Sequence, residues 1–149
     1  MPADRLLIAA GATASSPEEL PDHVRMLIES ASEVLVLSPV LTSRLHVWTN
    51  DTDRAREEAD ERLGILLGDV EAIGPATHVQ GVVGDEVPLT AFDDAVRVFA
   101  PDHILIALRS GSDAAWQEHG LAERVRESFG LPVTVIEIDE HGRVARGKP

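Results

Sequence analysis

Apolar runs of strand length alternate with segments of helical period along this chain, and that alternation limits its fold more than any other feature. "RLLIAAGAT" (Arg5 to Thr13), "EVLVLSPVL" (Glu33 to Leu41) and "HILIAL" (His103 to Leu108) are near-continuous apolar stretches. Strands covered on both faces read this way, because neither side meets water. "LPVTVIEID" (Leu131 to Asp139) is a further strand, and the more polar "ATHVQGVVG" (Ala76 to Gly84) reads as a strand at a sheet edge.

The segments between them carry helical spacing. "SSPEELPDHVRMLIESA" offers Ser16 as a cap, Pro17 at the first helical position and Glu19 three residues after the cap. Leu20, Val24, Leu27, Ile28 and Ala31 follow at helical intervals. "NDTDRAREEADERLGILLGDVEAIG" (Asn50 to Gly74) predicts a long helix with a buried stripe of Ala55, Ala59, Leu63, Leu66, Val70 and Ile73. Glu58 and Arg62 are expected to pair on its wet side, and Gly74 with Pro75 stops it. "PLTAFDDAVRVFA" (Pro88 to Ala100) and a last helix ending at Gly130 complete the series.

Five strands and four helices in strict alternation predict a three-layer α/β/α sandwich with a five-stranded parallel sheet. The 149 residues suit one domain, expected over residues 1–140, with residues 141–149 as a flexible C-terminal tail.

Composition removes several function classes. The 26 acidic and 13 basic residues leave a formal charge of −13, which repels a nucleic-acid backbone. Solubility, or a salty cytoplasm, accounts for the acid excess. There is no cysteine, hence no disulfide, thiol nucleophile or Cys-based zinc site. The six histidines, His23, His46, His78, His103, His119 and His141, show no ligand spacing, so no metal is expected. No apolar run is long enough to span a membrane and "MPADRLLIAA" lacks signal-peptide features, so the expected location is cytoplasmic. Walker, G-x-G-x-x-G and nucleophile-elbow patterns are missing, and Ser110, Ser112 and His119 form no recognisable catalytic set. No catalysis is expected.

The element order resembles a universal stress protein domain across nearly the whole chain. "VVGDEVPLTAFDDAVRVFAPDHILIAL" resembles the family's Gly-Asp turn, third helix and fourth strand, and "GLAERVRESFGLPVTVIEI" its closing helix and strand. The "ADERL", "PDHILIAL" and "GLPVT" segments bring it nearest to actinobacterial members without the standard ATP motif. The resemblance implies a doubly wound sheet ordered 3-2-1-4-5, of the adenine-nucleotide α-hydrolase-like type. It also implies a site for ATP over the C-terminal strand ends and a dimer through the fifth strand.

In the nucleotide-binding branch an Asp ends the first strand, and a G-x2-G-x9-G-(S/T) run follows the fourth. Here Gly11 and Ala12, in "AAGAT", stand at the first position. After the fourth strand comes "LRSGSDAAWQEHGL", in which Gly111 has no glycine three residues on and Gly120 precedes Leu121. Asp113 would cap the free N–H groups of the helix itself and repel a second anion, and Glu118 adds negative charge.

The candidate ligand-binding residues are therefore Gly11, Ala12, Gly84, Asp85, Arg109, Gly111, Ser112, Trp116 and Gly120. Arg109 either holds a carboxylate or phosphate or pairs with Asp113 or Glu118. Trp116 either stacks on a planar ligand or packs over its own helix, and Gly84-Asp85 either meets a ribose or is simply a turn.

The fifth strand, an edge in this order, exposes Val133, Val135, Ile136 and Ile138 as a homodimer surface, unless the C-terminal tail covers it. The expectation is a homodimeric module with a degenerate nucleotide motif and no cofactor, acting by binding a ligand or a protein partner. The alternative is a stress protein that holds ATP or AMP in a cleft between Gly11, Gly84 and Arg109.

Overall fold

The computed structural model describes residues 4–40, 52–74, 78–84, 88–109 and 121–148. β1 (Arg5–Ala10), β2 (Glu33–Pro39), β3 (His78–Gly84), β4 (His103–Arg109) and β5 (Val133–Ile138) run parallel. Their order is 3-2-1-4-5, with β6 (Val144–Lys148) added antiparallel beside β5. The helices are α1 (Asp22–Ser30), α2 (Thr52–Ile73), α3 (Pro88–Phe99) and α4 (Leu121–Phe129). This is the three-layer α/β sandwich that the alternating pattern predicts.

Strand side chains alternate between faces, so each central strand feeds two cores. Leu6, Ile8 and Ala10 of β1 face α1 and α2, where they meet Val24, Leu27, Leu63, Leu66 and Val70. Leu7 and Ala9 face α3 and α4, where Phe92, Phe99, Leu121 and Val125 close over them. Leu6 and Leu7 are both fully buried. Each such leucine contributes about 1.5–3 kcal/mol of hydrophobic stabilisation. The polar β3 ends the sheet, as its sequence predicts, and α2 lies close upon it. A Cβ on Gly81 would come within 2.7 Å of the Leu63 Cδ1 atom.

The ends of the sheet opposite the strand C-termini are pinned by polar contacts. The Arg5 guanidinium donates through Nε to the Phe99 carbonyl at 2.9 Å and lies 4.6 Å from the Phe99 ring centroid. It also pairs with Glu33. The Asp102 carboxylate accepts from the Asp4 and Arg5 backbone N–H groups at 3.1 and 3.2 Å.

Three expectations are corrected. The helix expected from Ser16 is a single 3-10 turn, Pro17–Glu19, and Ser16 makes no side-chain cap. Leu20 is extended at φ −72°, ψ 139°, because Pro21 disfavours a helical residue before it, and α1 starts only at Asp22.

The tail is not without regular structure. Asp139 Oδ1 accepts from the His141 and Arg143 N–H groups at 2.8 and 3.0 Å, and Gly142 takes φ 77°. The chain thereby reverses and returns as β6. It follows that β5 is no edge. Val135, Ile136 and Ile138 pair with Lys148, Gly147 and Val144, so the strand expected to carry a homodimer has hydrogen-bonded neighbours on both sides.

Candidate functional site

Strands β1 and β4 are neighbours, and the chain leaves them in opposite directions across the sheet, towards β2 and β5. Diverging connections open a crevice beyond the carboxyl ends of such a pair, the usual ligand position in a doubly wound sheet. Gly11 continues β1 by donating its N–H to the Ala107 carbonyl at 2.9 Å. Beyond it lies a cleft of about 320 Å³.

Its floor is Gly11, Ala12 and Thr13, after β1. One wall is α2, through Glu58, Glu61, Arg62 and Ile65, and Arg109 enters from the end of β4. The far wall is the β5–β6 turn, through Asp139, Glu140 and Gly142. That turn is held against the floor by the Ser15 N–H, which donates to the Gly142 carbonyl at 2.9 Å.

Arg62 is the half-buried cation of the site. Its Nη1 donates to Ser38 Oγ at 3.0 Å and to the Pro39 carbonyl at 2.9 Å. Ser38 is fully buried and donates in turn to the Ala59 carbonyl at 2.7 Å. Burial pulls the Arg62 guanidinium below its ordinary value; Glu58 opposes that shift and the nearby Arg109 charge adds to it. Arginine titrates so high that the group remains a cation. Asp139 is held below the ordinary carboxylate range, first by the Arg143 N–H and then by that of His141, so it is a fixed anion. Among the described residues, two cations therefore share the cleft with four carboxylates.

Of the candidate residues, the structure brings Gly11, Ala12 and Arg109 together. Gly84 does not line this cleft. It is buried against Leu37 and Ala91, where a Cβ would come within 2.6 Å of the Leu37 Cδ1 atom, so packing accounts for the glycine. Asp85, Gly111, Ser112, Trp116 and Gly120 lie outside the described residues, as do Asp113 and Glu118.

The wet-side pairing of Glu58 with Arg62 is corrected. Glu58 pairs with Arg54 at 3.6 Å, and Arg62 turns inward. The signal was present in the spacing. Position 62 lies three residues after Ala59 and seven after Ala55, both buried, and two alanines leave room for a long side chain beside the sheet. Asp139, Glu140 and Gly142 left a weaker signal: "DEHGR" places the turn residues Asp and Gly directly after a β-prone run.

A second cavity of about 510 Å³ runs along β2 and β3 beside α3. Its lining includes Val82 and Val98, which are 42% and 86% exposed. Among its polar groups, Arg5 and Glu33 pair with each other. It lies away from the switch point.

No protein-family model and no curated protein matches the chain. Among solved structures, the crystal structure of a hypothetical protein, PH0823, is similar in fold, with a TM-score of 0.59 at 16% identity. The match covers 92% of this chain and 99% of that one. No helix among the described residues is long and apolar enough to cross a membrane.

Proposed function

We propose that this protein is a universal-stress-protein-like binding module that takes a small anion-bearing ligand in the cleft over β1 and β4, without chemistry of its own. One observation carries the reading: Arg62 and Arg109, from α2 and from the end of β4, line the same cleft, with the Arg109 charge near enough to disfavour the charged form of Arg62. Guanidinium groups supply hydrogen-bond donors in a planar fork, suited to a carboxylate or phosphate, and neither abstracts a proton at neutral pH. An anion between them relieves their mutual repulsion.

The resemblance in element order and the switch-point position support the same reading. ATP or AMP at these strand ends is the rival occupant. The degenerate glycine pattern and the four carboxylates weigh against a triphosphate. A dimer on the β5 side of the sheet would be built on β6, since β6 occupies the outer edge of β5.

Thermal melting of the protein, and of its Arg109→Met variant, tests the proposal with millimolar ATP, ADP, AMP, inorganic phosphate, small carboxylates and α-amino acids. A ligand that binds only the folded state raises the melting temperature by mass action. The expected result is a rise with at least one small compound bearing a single carboxylate or phosphate group, with or without a second charge, that the variant abolishes. A rise with ATP exceeding all others gives the site to a nucleotide, and no rise with any compound overturns the binding role.

A further inference from the structure

We infer that the cleft selects a compact ligand carrying an anionic and a cationic group together, an α-amino acid being the simplest member of the class. The inference rests on the binding role proposed above and specifies its ligand chemistry.

The charges divide the cleft. Arg62 and Arg109 can receive one carboxylate, with the Arg62 guanidinium already oriented by Ser38 and Pro39. On α2, Glu58 and Glu61 stand beside them, and across the cleft stand Asp139 and Glu140. Asp139 cannot move away to accommodate an anion. The two N–H groups of its own turn hold its Oδ1, and they also favour the ionised form. A ligand with only negative charge meets the two arginines but also brings that charge against the four carboxylates that the described residues place there. A ligand with an ammonium a few bonds from its carboxylate satisfies both sets.

Size narrows the class further. A volume of about 320 Å³ lies at the low end of small-molecule sites, which run from roughly 300 to 1,000 Å³. Ile65 lines the cleft while 54% exposed, an apolar surface for a short aliphatic portion. The acid-rich rim acts against the wrong ligand as much as for the right one, since specificity is a difference of affinities.

The test is calorimetric titration of the full chain with each standard α-amino acid, hexanoate, butylamine, inorganic phosphate, AMP and ATP. The expected result is that at least one amino acid binds ten-fold or more tightly than every carboxylate-only, amine-only and phosphate compound. Arg109→Met should weaken that binding at least ten-fold. The exposed double variant Glu58→Gln/Glu61→Gln should fold normally by circular dichroism and bring hexanoate within about three-fold of the amino acid.

Hexanoate, phosphate or ATP binding the parent protein as tightly as any amino acid overturns the mixed-charge inference and leaves the binding role standing. Amino-acid binding that Arg109→Met does not change places it elsewhere and also overturns the inference. No binding by any compound overturns both.

Discussion

Arg62 on α2 donates to the Pro39 carbonyl at 2.9 Å, at the residue where β2 ends. The same nitrogen reaches the Ser38 hydroxyl, so one side chain joins the helix to the carboxyl end of the strand and also faces the cleft. Position and charge are thereby coupled: the contact that orients the guanidinium is a stabilising one.

Arg62→Met should therefore lower stability as well as ligand binding. It removes a charged donor from the Ser38 hydroxyl and the Pro39 carbonyl, for an expected loss of about 1–3 kcal/mol. Urea denaturation measures this, and a midpoint unchanged from the parent protein would deny the contact any structural role.

Gly142 and Gly130 make a controlled comparison. Both have positive φ, at 77° and 64°. A Cβ on Gly142 would come within 2.5 Å of the Ser15 backbone nitrogen, whereas nothing lies within 4 Å of one on Gly130. Gly130→Ala should cost about 1 kcal/mol, the penalty for a left-handed residue alone. Gly142→Ala should cost about 2–4 kcal/mol, because it must also push the turn away from the cleft floor. Equal melting temperatures for the two variants would contradict the close packing of Gly142 on Ser15.

Strand β6 shields β5, whose Val133, Ile136 and Ile138 are buried. Truncation after Gly142 would leave the outer edge of β5 without hydrogen-bond partners, and an open edge of this composition seeks another strand. Size-exclusion chromatography with light scattering should show the truncated chain shifted to larger species relative to the full chain. An unshifted truncated chain would mean that β6 has no protective role.

His103 should give stability a specific slope with pH. Its Nε2 lies 2.8 Å from Thr134 Oγ1, and burial holds the imidazole below its ordinary value of 6.5, with Asp102 pulling the other way. The unfolded chain then takes up this proton at higher pH than the folded one. The contribution is complete above about pH 6.5 and declines as pH falls from there towards the folded value. His103→Gln should flatten stability over that window relative to the parent protein, the other histidines being common to both. Chemical denaturation between pH 5 and 7.5 checks the sign, and an identical slope in the two proteins would refute it.

The doubly wound sheet was legible in the sequence because buried parallel strands and amphipathic helices have different periods. The runs around Leu7, Val36 and Ile106 admit little else. The stripe of α2 from Ala55 to Val70 was equally plain, and all five of its residues through Val70 are buried. Ser16 misled, because a cap signature is local while Pro21 acts on the residue before it.

Local pattern thus determined the class of fold, the composition of both cores and the polar edge at β3, since each follows from how consecutive residues divide between water and interior. Tertiary structure alone decided what faces the cleft. Arg62 and Arg109 are 47 positions apart in sequence, and Asp139 is 30 further on. They meet because β1 and β4 are neighbours and the hairpin after β5 folds back over Ser15. No periodicity records such a meeting: it depends on which strands pair and which way each connection turns.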